Sequence, residues 1–96
     1  MKKFYERRER ERRDVEDPCV TFAVKRGWWY TKIESPTQDA LPDDLFVRAG
    51  AYVWWEFKAP GEEPTPKQLK RHREMRERGM DVRWTDNVEE FKRQMQ

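Results

Sequence analysis

Asp43, Glu56 and Lys58 are the residues whose types and spacing could do chemistry. They lie in the stretch from Leu41 to Gly61, LPDDLFVRAGAYVWWEFKAPG, where an acidic residue opens one apolar run and Glu-x-Lys closes the next. The second run alternates, with Tyr52, Trp54, Glu56 and Lys58 on one face of a strand and Val53, Trp55 and Phe57 on the other. Glu56 and Lys58 therefore point the same way, their Cα atoms roughly 6 to 7 Å apart, a span that one metal ion and one water can bridge. Carboxylates are hard oxygen ligands suited to Mg2+ or Mn2+, ions that polarise a phosphate and lower the pKa of a bound water. A lysine beside them can hold that water or offset charge building on phosphorus. The set points to metal-dependent hydrolysis of a phosphodiester. On spacing alone, in a chain this rich in charge, strand-edge ion pairs are the better-supported reading.

The elements needed to bring these groups together are predicted nearby. A strand from about Asp44 to Arg48, a tight turn at Ala49 and Gly50 and a strand from Ala51 to Lys58 make a hairpin, which returns Asp43 to the Glu56 end. Ahead of it, Asp17 and Pro18 read as a helix start, followed by Val15, Cys19, Phe22 and Ala23 at helical spacing, widened by Val20 and Val24, and a stop at Gly27. Trp28 to Ile33 reads as a first strand, and Glu34 to Pro42 as an irregular loop. Beyond the hairpin, Thr65, Pro66 and Gln68 form a capping-box pattern opening a helix to about Arg78. Met80 to Trp84 reads as a last strand. Asp86 and Glu89 are expected to cap a closing helix with Val88, Phe91 and Met95 on one face. The predicted fold is α/β, a small mixed sheet flanked by helices in the order αβββαβα.

Ninety-six residues make one domain with limited burial, so pairing of subunits is expected on size alone. Residues 1–13 carry seven Lys or Arg against three Glu, leaving fourteen positive against sixteen negative groups in residues 14–96. The division is thus a charged arm or helix, 1–13, and a single domain, 14–96. The arm reads equally as a solvated helix or as a contact for nucleic acid phosphates. The lone Cys19 excludes an intramolecular disulfide framework and fits a reducing cytosol. No apolar run approaches the roughly 18 residues of a membrane span.

The stretch from Glu16 to Phe91, about four-fifths of the chain, resembles the virus-type replication-repair nuclease (VRR-NUC) family, small members of the PD-(D/E)XK nuclease superfamily. The resemblance is carried by Pro42 and Asp43 followed by Glu56 and Lys58, by Ala59, Pro60 and Gly61 after the lysine, by Gln68 in the Thr-Pro-Lys-Gln helix start, by the aromatic strand around Lys32, by Gly79 before a strand, and by Glu16 in the first helix. One position departs: Ala40 stands where family members commonly have glycine, two residues before the proline.

The resemblance implies a PD-(D/E)XK core and a Mg2+- or Mn2+-dependent DNA endonuclease. It implies Asp43 and Glu56 as principal metal ligands, the Phe57 carbonyl as a third, and Glu16 reaching in directly or through water. Lys58 would orient the attacking water and Gln68 would support the site. Stand-alone relatives suggest a homodimer resolving four-way (Holliday) junctions in a host cytoplasm, encoded by a phage or prophage. Less selective cleavage of flaps, single strands or duplex, and a non-catalytic nucleic-acid-binding module, are the alternatives. Glu16 also reads as a helix-dipole partner, Gln68 as a simple cap and His72 as a packed residue. The tryptophan pairs read as core and interface, and the arginines of the second helix as solvated or as a phosphate track.

Overall fold

The computed structural model describes residues 8–96, so the first seven residues of the charged arm lie outside the described part. From Arg8 the chain is helical without a break: a π-helical stretch, Glu11–Glu16, runs straight into α1, Asp17–Lys25. The expected helix start at Asp17 and Pro18 is therefore corrected, because Pro18 sits inside a continuous helix. A proline there lacks one N–H and its ring clashes with the carbonyl four residues back. The wider π turn just upstream, in which the Asp17 N–H donates to the Arg12 carbonyl five residues back, accommodates this.

Four strands follow as one sheet in the order β1 (Trp29–Lys32), β2 (Asp44–Arg48), β3 (Ala51–Phe57), β4 (Asp81–Thr85). The β1–β2 and β2–β3 pairs are antiparallel, and β3–β4 is parallel. The crossover between β3 and β4 carries α2, Pro66–Glu77, and the chain closes with α3, Val88–Gln94. This is the expected αβββαβα order. The hairpin turn has positive φ at both central residues, Ala49 at 50° and Gly50 at 84°, as a two-residue turn matching strand twist requires.

One sheet face packs on α1 and α3. Phe46, Val53, Trp55 and Phe57 meet Val15, Cys19 and Ala23 of the first helix and Phe91 of α3 in one buried cluster. Phe91 lies 4.8 Å from Trp55, centroid to centroid, and edge-on to Phe46 at 5.6 Å. Met95 closes the cluster: its carbonyl accepts from Trp28 Nε1 at 3.0 Å and its sulfur contacts Trp55 Nε1 at 3.4 Å. The cap of α3 is Asn87, whose side chain accepts from the Glu90 N–H, rather than the expected Asp86. Asp86 is already engaged, accepting from Gly61 N–H at 2.8 Å, and so holds the turn after β3. No helix among the described residues is long and apolar enough to cross a membrane.

Candidate metal and phosphodiester site

The hairpin register decides the site. Asp44 is opposite Trp55, so the ladder continued by one residue sets Asp43 across from Glu56. The Phe57 N–H donates to Asp43 Oδ2 at 2.8 Å, tying the end of β3 to the start of β2. In an extended strand a residue's N–H and C=O leave on the same side, so the Phe57 carbonyl also faces the Asp43 side. The loop that delivers Asp43 enters through Ala40 at φ 58°, a left-handed conformation that favours glycine. This accounts physically for glycine at the equivalent position of the resembling family.

Glu56 is almost fully buried and is gripped from α2. Thr65 caps that helix and the capping box is complete: the Thr65 hydroxyl accepts from Gln68 N–H at 3.1 Å, and Gln68 Oε1 accepts from Thr65 N–H at 2.9 Å. With its oxygen so committed, the Gln68 amide turns its NH2 toward Glu56 Oε2 at 3.4 Å. One side chain thus makes both the cap and the contact with Glu56. One turn on, the fully buried His72 sets Nε2 3.4 Å from Glu56 Oε1. Burial, then the Arg76 charge, lower the His72 pKa to about 4, so the imidazole is neutral near pH 7 and the contact is a weak hydrogen bond rather than an ion pair. His72 is packed beneath the helix, as expected, yet its contact with Glu56 was not foreseen.

Burial, followed by the facing Glu56 charge, raises Asp43 to about 8, only partly opposed by the Phe57 N–H. Burial likewise raises Glu56 to about 7, opposed by its proton-sharing contact with Asp43 and by Lys58. Two adjacent buried carboxylates that resist simultaneous ionisation are a donor set a divalent cation fits, since its charge removes the repulsion that keeps a proton in place. Among the described residues no three His, Cys, Asp or Glu side chains are already gathered to hold an ion. Protein coordination would therefore rest first on the Asp43–Glu56 pair and the backbone beside it.

The first helix supplies two carboxylates with different surroundings. Glu16 is buried and its Oε2 accepts from Lys32 Nζ at 2.6 Å, on the side of Asp44. Glu11 is half-buried and lines both cavities that flank the site, one of about 280 Å³ with Lys58 and Gln68, the other of about 330 Å³ with Asp43 and Lys32. Burial, then Asp43, raise Glu11 to about 7. On an α-helix, residues five apart point about 140° apart, so α-periodicity does not group Glu11 with Glu16; five residues is one hydrogen-bonded repeat of a π turn. Glu11 was missed because nothing in the sequence pattern announces that turn. Asp44 was missed although strand alternation alone sends it to the face opposite Asp43.

The arginines of α2 act largely as struts: Arg76 donates twice to the Val82 carbonyl, Arg78 to the Glu74 carbonyl, and Arg71 reaches Asp39 and Glu74. Of the tryptophans, Trp28 and Trp55 are core, Trp54 is half-buried and Trp29 is exposed.

No family model matches the chain. It is 39% identical over 59 residues to the candidate nuclease p44 of Acyrthosiphon pisum secondary endosymbiont phage 1, an alignment covering 60% of this chain. The chain spans 63% of the length of that relative. Among solved structures it superposes on a VRR_NUC domain with a TM-score of 0.68 at 24% identity, covering 81% of this chain and 90% of the other. The mixed four-stranded sheet and its flanking helices thus share the fold of that VRR_NUC domain.

Proposed function

We propose that this chain is a divalent-metal-dependent DNA endonuclease selective for branched substrates, four-way junctions among them, and active as a homodimer. The observation that carries the reading is the Asp43–Glu56 pair, two facing carboxylates that favour retaining a proton, at the strand end that also bears Lys58 in a VRR_NUC fold. Asp43 and Glu56 would hold Mg2+ or Mn2+ with the Phe57 carbonyl. When bound, the ion would polarise the phosphate and supply the charge that activates water. Lys58, half-buried with its backbone N–H held by the Thr85 carbonyl at 2.9 Å, would orient that water. Gln68 and His72 fix the Glu56 carboxylate so that it need not reorganise as charge develops. Glu16 shares the Asp43 cavity but is tied to Lys32, so Glu11, which also lines the cavity with Lys58, would be the freer of the two to add a helix carboxylate.

The homodimer reading is supported by an open stretch of the second sheet face. Trp29, Val47 and Tyr52 lie in one cross-strand row, with Trp29 and Tyr52 about 60% exposed, and none of the three is charged. A monomer in sedimentation at micromolar concentration would remove the dimer from the proposal.

The test is cleavage of a synthetic four-way junction in Mg2+ or Mn2+, beside a flap, a single strand and a plain duplex. Junction cleavage is expected to lead, to stop in EDTA, and to be lost in Lys58→Ala. Glu11→Gln is expected to impair it more than Glu16→Gln. Intact DNA of every kind after incubation of folded protein with either metal would sink the nuclease, and equal rates on all four would sink the selectivity.

A further inference from the structure

A second buried carboxylate cluster lies one residue along the chain from the first. Lys32 of β1 and Asp44 of β2 are cross-strand partners, so their side chains share a face, and Glu16 comes down onto that face from the helix above. Lys32 Nζ lies 2.6 Å from Glu16 Oε2 and 3.7 Å from Asp44 Oδ1. Asp44 is completely buried, and neither of its oxygens has a hydrogen-bond partner among the described residues. Lysines at a surface ordinarily bury the stem and keep the ammonium in water. Lys32, with its side chain 55% exposed, instead sets its ammonium against two buried acids.

Two carboxylates buried together can be ionised at once only beside a counter-charge. A hard divalent ion could supply it, but would need the same oxygens at about 2.0 to 2.6 Å, and the ammonium already holds Glu16 Oε2 in a short charge-assisted bond with Asp44 Oδ1 3.7 Å away. We infer that Lys32 takes the place of a metal ion there: its ammonium is the built-in cation of the Glu16–Asp44 cluster, so that a divalent ion is kept out of that cluster and is taken up at Asp43 and Glu56. The ion at Asp43 and Glu56 rests on the proposed metal-dependent function. The exclusion from the cluster rests on the Lys32, Glu16 and Asp44 geometry alone.

The test is Mn2+ binding to the full chain, with free Mn2+ followed by electron paramagnetic resonance, so that no cleavage is needed. The wild type and Lys32→Arg, which keeps the charge, are expected to bind one ion per subunit. Lys32→Met is expected to bind one more, and Lys32→Met/Asp44→Asn to lose the extra one. Should Lys32→Met unfold without metal, Mn2+ is expected to restore its folded circular dichroism. Two ions in the wild type with the second lost in Asp44→Asn, a folded Lys32→Met that gains no ion, or an unfolded one that Mn2+ does not restore would each overturn the inference. No ion in the wild type but one in Lys32→Met would leave Lys32 in its role and remove the metal from Asp43 and Glu56. Binding by no variant would end both.

Discussion

Asp43 and Asp44 are consecutive aspartates in two different settings. Asp43 faces Glu56 on the side of the sheet covered by α2, beside a cavity, with a backbone N–H as its donor. Asp44 points to the side packed by the first helix, is wholly sealed, and has Lys32 as its nearest cation. Burial raises both to about 8, reinforced by Glu56 in one case and by Glu16 in the other. An elevated pKa therefore does not separate a reactive carboxylate from a structural one here. The counter-charge does: the Lys32 ammonium stands 3.7 Å from the sealed Asp44, whereas Lys58 only partly offsets the burial that raises Glu56, so that a cation from solution would still be drawn to the Asp43 pair.

Activity offers the sharpest break in the comparison. Asp43→Asn is expected to lower junction cleavage by about 10³-fold, the scale of losing a group that stabilises developing charge. Asp44→Asn should remain within about tenfold of wild type, because it touches neither the phosphate nor the ion. Equal losses in the two variants, both folded, would erase the distinction.

Stability against pH is expected to respond more moderately. Carboxyls whose folded pKa lies above the unfolded value of about 4 bind protons more tightly in the folded chain, so their contribution is complete below that value and is lost as pH rises through the folded pKa. With Glu56 and Glu11 near 7 and Asp43 and Asp44 near 8, the melting temperature in EDTA is expected to fall between pH 5 and pH 8.5. Mn2+ should recover much of the loss at pH 8 and little at pH 5. Asp44→Asn should flatten the slope in EDTA while leaving the Mn2+ recovery in place. A melting temperature that rises over this range would contradict the assignment.

The smallest effect concerns the loop that delivers both aspartates. Ala40 adopts φ 58°, where an L side chain costs about 1 to 2 kcal/mol, and glycine returns part of the gain as unfolded-chain entropy. Ala40→Gly is expected to stabilise the chain by about 0.5 to 1 kcal/mol in urea unfolding, with cleavage unchanged. Destabilisation would mean that the methyl group is held by packing that outweighs the backbone strain.

These contrasts show which features were legible in the sequence. The hairpin could be read because period-2 alternation, a two-residue turn and flanking breakers all agreed, and the Thr65 cap because its pattern is local. The Asp43–Glu56 meeting followed from register alone. The upstream helix was misread at Pro18, since proline is a start signal unless a wider turn makes room for it, and that same turn brings Glu11 to the site. The cap of α3 moved by one residue because Asp86 is drawn off by Gly61, a contact 25 positions away. Lys32 against Glu16 and Asp44 could not be read either, because it joins three elements whose relative placement only the packed core decides.

Position 68 shows how narrow a residue's alphabet becomes when one amide serves two partners. Glutamate would complete the capping box as well as glutamine does, but it has no donor to offer and would set another negative charge beside Glu56. Asparagine would keep both functional groups on an arm one methylene too short to span the cap and the strand end. Lysine could serve Glu56 and leave Thr65 N–H without its acceptor. Where the cap alone would accept glutamate or glutamine, the contact with Glu56 selects the amide, so the helix cap carries a record of the strand end it faces.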